Sequence, residues 1–170
     1  ALCCHYRVAA EDCLLALPEV DLGLLPGGGG SQRLPRLAGA AIALDLLVHA
    51  RRIGAGDALR WGIVDQVVAR ENLLAHALNF ARAQIIATQP VRRAGHIAID
   101  PATIRPGMFD AARRDFEARM PDFLAVQRAI DLVEAATRLP VRDGMLLEEE
   151  FVLGLMRSPQ SKALQGCFFA

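Results

Sequence analysis

Four consecutive glycines at positions 27–30 interrupt two apolar stretches, in the segment LPEVDLGLLPGGGGSQRLPRL that covers residues 17–37. Without a Cβ, glycine takes positive φ readily and lets backbone approach another group closely. A helix starting at the end of such a run leaves free N–H groups, which favour an anion or an oriented water. Three other readings compete. GGGGS also serves as a flexible spacer, but here it occurs once, between apolar runs rather than between separable domains. A phosphate-binding loop of the GxxxxGK[ST] type needs a lysine where Gln32 and Arg33 follow Ser31. A nucleophile elbow needs GxSxG, and Ser31 is not in that setting.

A turn this flexible needs a packed frame around it, and the composition supplies one. The 170 residues are 53% apolar, with 19 basic against 19 acidic side chains. Such a chain can bury enough surface to offset its ordering entropy, which excludes disorder. Zero net charge also argues against nucleic acid as a principal partner. No apolar run approaches the ~20 residues of a membrane span, and no signal-peptide pattern opens the chain. Cys3, Cys4, Cys13 and Cys167 form no CxxC pair. They predict reduced, mostly buried thiols in a cytoplasmic setting. The chain opens at Ala1 with the apolar ALCC, which is the expectation for a start inside a domain or at a processed end.

The apolar pattern predicts an α/β fold with a helical appendage. Residues 6–9 and 13–17 read as short strands, and residues 31–38 as a helix in which Pro35 is tolerable only near the first turn. Residues 40–50 predict a helix buried on most sides. Next come a turn at Gly54, a short helix over 57–61, a stop at Gly62 and a strand over 64–68. Residues 71–87 carry apolar side chains at helical spacing (Leu74, Ala77, Leu78, Ala81, Ile85, Ile86). Pro90, Pro101, Pro106 and Gly107 mark a looser connection. Helices are predicted over 108–119, 125–138 and 145–157, and from Pro159 onward.

Glu19 is the carboxylate best placed for chemistry. It follows Pro18 among apolar neighbours, eight positions before Gly27. Desolvation there would raise its pKa and suit it to moving protons near neutral pH. On spacing alone, a solvated carboxylate at a strand end is the preferred reading. Asp21 falls on the same face if the segment is extended. His5, His49, His76 and His96 have no metal-ligand spacing. The pairs Arg51/Arg52 and Arg92/Arg93 suit either phosphates or solvent. Glu148, Glu149 and Glu150 read as the exposed face of a helix. Phe151, Leu155, Phe168 and Phe169 read as core or interdomain contacts.

The segments LPEVDLGLLPGGGGSQRLPRLAG and ALDLLVHARRIGAGDALRWGIVDQVV resemble the crotonase (enoyl-CoA hydratase/isomerase) superfamily, which has a PExxLGxxPGxGGxQRLxRxxG block and a later GRxxxAxxAxxxGLVxxVV-like block. The tail, from FLAVQRAIDLVEAATRLP to QGCFFA, resembles the segment joining hydratase and 3-hydroxyacyl-CoA dehydrogenase parts in multifunctional β-oxidation enzymes. The resemblance reverses the preference at Glu19. It implies that residues 1–107 are the C-terminal part of a crotonase core (the ββα superhelix), lacking its N-terminal part. Residues 108–170 would lead toward a dehydrogenase domain.

It further implies hydration of trans-2-enoyl-CoA, with Glu19 as general acid/base and the Gly27 N–H holding the water. Leu17, Pro18, Leu25, Pro26 and Gly28 would contribute to substrate binding. The second glutamate and both oxyanion-hole donors would lie before Ala1, so the piece alone is expected to be inactive. Neither metal nor resident cofactor is implied: CoA rides on the substrate, and NAD would serve only the dehydrogenase part. The rivals are Δ3,Δ2-enoyl-CoA isomerisation and a noncatalytic acyl-CoA-binding or scaffold module. The implied partners are acyl-CoA and either a homo-oligomer or an intramolecular dehydrogenase domain.

Overall fold

A computed structural model describes residues 1–87 and 91–170; Pro90 lies outside them. The strands are short. β1 (Val8–Ala10) pairs in parallel with β4 (Gln66–Val68), and β2 (Leu14–Leu15) pairs antiparallel with β3 (Ile53–Gly54). Between these pairs run helices α1 (Gly30–Ala38), α2 (Ala40–Val48) and α3 (Ala55–Arg60), and after them comes α4 (Leu73–Ile86). The remainder is helical: α5 (Met108–Arg119), α6 (Leu124–Ala136), α7 (Val141–Arg157) and α8 (Pro159–Phe169). Strands with interspersed helices, followed by a helical tail, are the predicted α/β organisation. The connection over 91–107 holds only short 3-10 turns at Ala94–His96 and Pro101–Thr103.

The core lies where α1, α2 and α6 meet. α6 buries Ala125, Val126, Ala129, Ile130, Leu132 and Val133 in the same cluster as Ala43 and Leu47 of α2. Alanines at these positions let the helix axes approach closely, and each fully buried Leu, Ile or Val contributes about 1.5–3 kcal/mol. α2 is buried on most sides, as its sequence predicts. α8 starts with Pro159 in its first turn, and the Ser158 hydroxyl accepts from the Ser161 N–H at 3.1 Å.

Several expectations need correction. Pro35 sits well inside α1 rather than in its first turn. It leaves the Ser31 carbonyl without its usual helical donor, but the Arg36 guanidinium adds donors nearby, to Gln32 O at 2.7 Å and to Leu139 O at 2.8 Å. α4 is helical, as its spacing predicts, and buries none of its residues; Leu74 is 74% and Ile86 81% exposed. The thiols are free but not mostly buried: Cys3, Cys4 and Cys167 are exposed, on a surface turn and the last helix. Leu155 joins the core and Phe151 lies partly buried under the Arg128 guanidinium. Phe168 and Phe169 are exposed and meet each other edge to face.

Gly23 locks the tail to the first part of the chain. It has φ +66°, and a Cβ there would lie 2.9 Å from the backbone Cα of Ser161. The buried Ser161 hydroxyl donates to Leu22 O at 2.9 Å across the same contact. Left-handed backbone costs roughly 1–2 kcal/mol for a non-glycine residue, and overpacking against immobile backbone adds about 1–3 kcal/mol. Gly23→Ala is therefore expected to destabilise the protein by about 2–5 kcal/mol, measured by urea unfolding.

Candidate functional site

The segment before the glycines is coiled rather than extended. Glu19–Leu22 forms a 3-10 turn after Pro18, with Asp21 N–H bonded to Pro18 O (3.0 Å) and Leu24 N–H to Glu19 O (3.0 Å). The winding separates Asp21 from Glu19: Asp21 is exposed, whereas Glu19 is partly buried. Glu19 Oε2 is enclosed and accepts no hydrogen bond among the described residues. Burial pushes the Glu19 carboxyl above its ordinary range; its own backbone N–H opposes this, and the nearby Glu148 charge adds to it. An enclosed carboxylate oxygen without a donor is an uncommon arrangement that concentrates at functional sites.

The four glycines divide into two pairs. Gly27 and Gly28 are exposed, and a Cβ on either would meet no serious obstacle. Their N–H groups are used by no acceptor among the described residues. Gly29 and Gly30 are buried. Gly29 has φ +80°, and a Cβ on Gly30 would come within 2.7 Å of Pro26 Cβ. Within the run, only Gly29 has positive φ. Leu25 and Pro26 are buried beneath the turn, Pro18 is exposed, and Leu17 is partly buried. Leu17 borders an apolar cavity of about 180 Å³ together with Leu2, Leu15, Leu34, Leu46 and Ile63. A larger hollow of about 780 Å³ between Tyr6 and α4 contains none of these site residues.

The anion anticipated at the start of the helix is present, and it is the chain's own Glu148. This side chain is 1% exposed, not on the solvent face of α7. Its Oε1 accepts from Gly29 N–H at 2.6 Å, and its Oε2 from Ser31 N–H at 3.1 Å and Ser31 O–H at 2.5 Å. Burial raises the Glu148 carboxyl, while these donors and Arg33 pull it back. Sequence reasoning missed this residue because it read the three acids as a unit. The available signal was the period of α7: Gly144, Glu148 and Leu155 share its buried face, whereas Glu149 and Glu150 are exposed.

The remaining candidates stay apart from this site. His76 Nε2 meets Gln66 Oε1 at 2.6 Å, and His49 lies 3.9 Å from Asp45. No group of three metal-binding side chains converges among the described residues. Arg51 pairs with Asp45 and Arg92 with Asp65, both at 2.8 Å, while Arg52 and Arg93 are exposed.

Comparison with known proteins gives this geometry a family. The human peroxisomal bifunctional enzyme is 41% identical over 172 residues, covering all of this chain and 23% of that protein. The fatty acid oxidation complex subunit alpha of Shewanella baltica strain OS185 is 37% identical over 175 residues, covering all of this chain and 25% of that subunit. The chain thus spans about a quarter of the length of these relatives. Among solved structures, an enoyl-CoA hydratase/isomerase from Pseudoalteromonas atlantica T6c superposes with TM-score 0.61 at 20% identity, over 96% of this chain and 52% of that one. An enoyl-CoA hydratase from Mycobacterium tuberculosis H37Rv gives 0.56 at 26% identity, over 92% and 56%. The fold is therefore part of a crotonase fold followed by a helical segment. The family described as enoyl-CoA hydratase/isomerase matches residues 1–98, and the chain belongs to it.

Proposed function

We propose that the protein carrying this chain hydrates trans-2-enoyl-CoA to 3-hydroxyacyl-CoA in fatty-acid β-oxidation. The observation that carries this reading is Glu19: an enclosed carboxyl without a donor on Oε2, raised by burial, on the turn that leads into Gly27 and Gly28. Glu19 gives its proton to C2 while the oxygen of a water held by the Gly27 N–H bonds to C3 on the same face of the double bond, and that water passes one proton to a second carboxylate supplied by further chain. A carboxyl tuned toward neutrality can both give and take that proton. Leu17 and its apolar cavity contact the acyl part, with Pro18, Leu25, Pro26 and Gly28 shaping the surrounding backbone. CoA enters as the carrier of the substrate, and the chemistry assigned to this chain uses no metal or resident cofactor.

Residues 1–107 act in this reading as part of a crotonase core, completed by further chain that supplies a second carboxylate and the oxyanion donors. Residues 108–170 lead toward a dehydrogenase part, to which NAD belongs. The exposed apolar side chains of α4 and the two-stranded parallel pair β1/β4 support a larger assembly, formed within one protein or between copies. Its compartment is that of β-oxidation in the host, the cytoplasm in a bacterium and the peroxisome or mitochondrion in a eukaryote.

Glu19→Gln in the full-length protein is expected to lower kcat for hydration of a 2-enoyl-CoA by about 10²-fold or more. Near-normal turnover overturns the assignment. Isomerisation of 3-enoyl-CoA without hydration by the unaltered protein favours the isomerase, and binding without either reaction favours a noncatalytic module. The same variant separates chemistry from folding. A carboxyl with a raised folded-state pKa contributes stability while protonated, and loses that contribution as pH rises through the raised value. Glu19→Gln is therefore expected to be at least as heat-stable as the unaltered protein at pH 7.5, with the difference narrowing as pH falls toward the ordinary carboxyl range. Thermal unfolding between those pH values checks it.

A further inference from the structure

We propose that Glu148 is a positioning residue for the glycine turn, a carboxylate supplied by α7 that holds Gly29 and Ser31 and thereby aims the Gly27 and Gly28 N–H groups. The proposal rests on the hydration reading above and adds to it a residue from the helical tail. Gly27 and Gly28 have no side chains to anchor them, and the backbone fixes itself on either side. On the near side the Gly28 carbonyl accepts from Arg33 Nη1 at 2.8 Å. On the far side Gly29 N–H and Ser31 N–H end on the two oxygens of Glu148. Holding both N–H groups on one rigid carboxylate sets the direction in which the chain leaves Gly29, which is in the left-handed region.

The hydrogen-bond roles in this cluster are determined. Gln32 Nε2 donates to Ser31 Oγ at 3.1 Å and to Leu132 O at 3.1 Å. Ser31 Oγ therefore accepts from Gln32 and gives its own proton to Glu148 Oε2. A carboxylate satisfies all three of its donors, Gly29 N–H, Ser31 N–H and Ser31 O–H, because it only accepts. An amide in its place would turn an NH₂ toward donors on one side, so the turn would have to shift. A displacement of about 1 Å at a reacting centre can cost as much as 10²-fold in rate.

The test uses the full-length protein and compares two reactions that share Glu19. Hydration of a 2-enoyl-CoA needs water held by the turn. Exchange of the C2 protons of a saturated acyl-CoA with deuterium from D₂O needs the acid/base but no bound nucleophile. Glu148→Gln and Ser31→Ala are each expected to lower the ratio of hydration to exchange at least about tenfold, and Ser31→Thr, which keeps the hydroxyl, to stay within about threefold of the unaltered ratio. The ratio does not depend on the folded fraction, so partial unfolding of a variant does not disguise the outcome. Equal loss of both reactions in Glu148→Gln and Ser31→Ala overturns the positioning role, as does an unchanged ratio. Glu19→Gln serves as the separate arm. If it abolishes both reactions while the Glu148 ratio is unchanged, the hydration reading stands and the positioning role falls. If it leaves both intact, the reading falls and the positioning role with it.

Discussion

A buried carboxylate taking hydrogen bonds from two backbone N–H groups and a hydroxyl is the contact around which this molecule is organised. Glu148 is carried by a helix near the end of the chain, and the groups it binds belong to the start of α1. The helix macrodipole makes that start favourable for a negative charge, and the donors offset part of the cost of burying one. Removing the acid would leave enclosed donors without partners, an expensive state in a dry interior. The site and the helical tail are thus parts of one packing problem.

The same logic repeats a short distance away. The turn that carries Glu19 ends at Gly23, where α8 presses close enough that no side chain fits. Ser161 then ties α8 to Leu22 through its hydroxyl. Two tail helices therefore hold the two ends of the segment that runs from Glu19 to the glycines. The central helices α1, α2 and α6 provide the rigid floor, with Ala, Leu, Ile and Val packed at full burial.

Much of this was legible from residues alone, for identifiable reasons. The long helices declare themselves by apolar period, and α5 runs over the residues that its spacing predicts. The apolar neighbours of Glu19 leave a solvated strand end as the preferred reading, and only the family resemblance, not the residues alone, points to the partly buried carboxyl that the fold contains. The strands are harder, because two- and three-residue pairings leave almost no alternation to detect. Glu148 was illegible as a charge and legible as a position: its place on the buried face of α7 identifies it only once burial is allowed to an acid. α4 is helical as its apolar spacing predicts, but what covers those side chains is not written in its own sequence. The winding of the Glu19 segment, and with it the separation of Asp21, depends on the left-handed Gly23 and on α8 far along the chain.

Glu148 and Gly29 are 119 residues apart, and that distance has a meaning in time. During synthesis at roughly 5–20 residues per second, on the order of ten seconds pass between the two. Throughout that interval the start of α1 has no carboxylate to receive its donors. Closing a loop this long carries an entropic cost, which the docking of the tail helices on α1 and α2 helps to offset. The glycine turn therefore waits for α7 before it acquires its native shape, although α1 is made well before that helix.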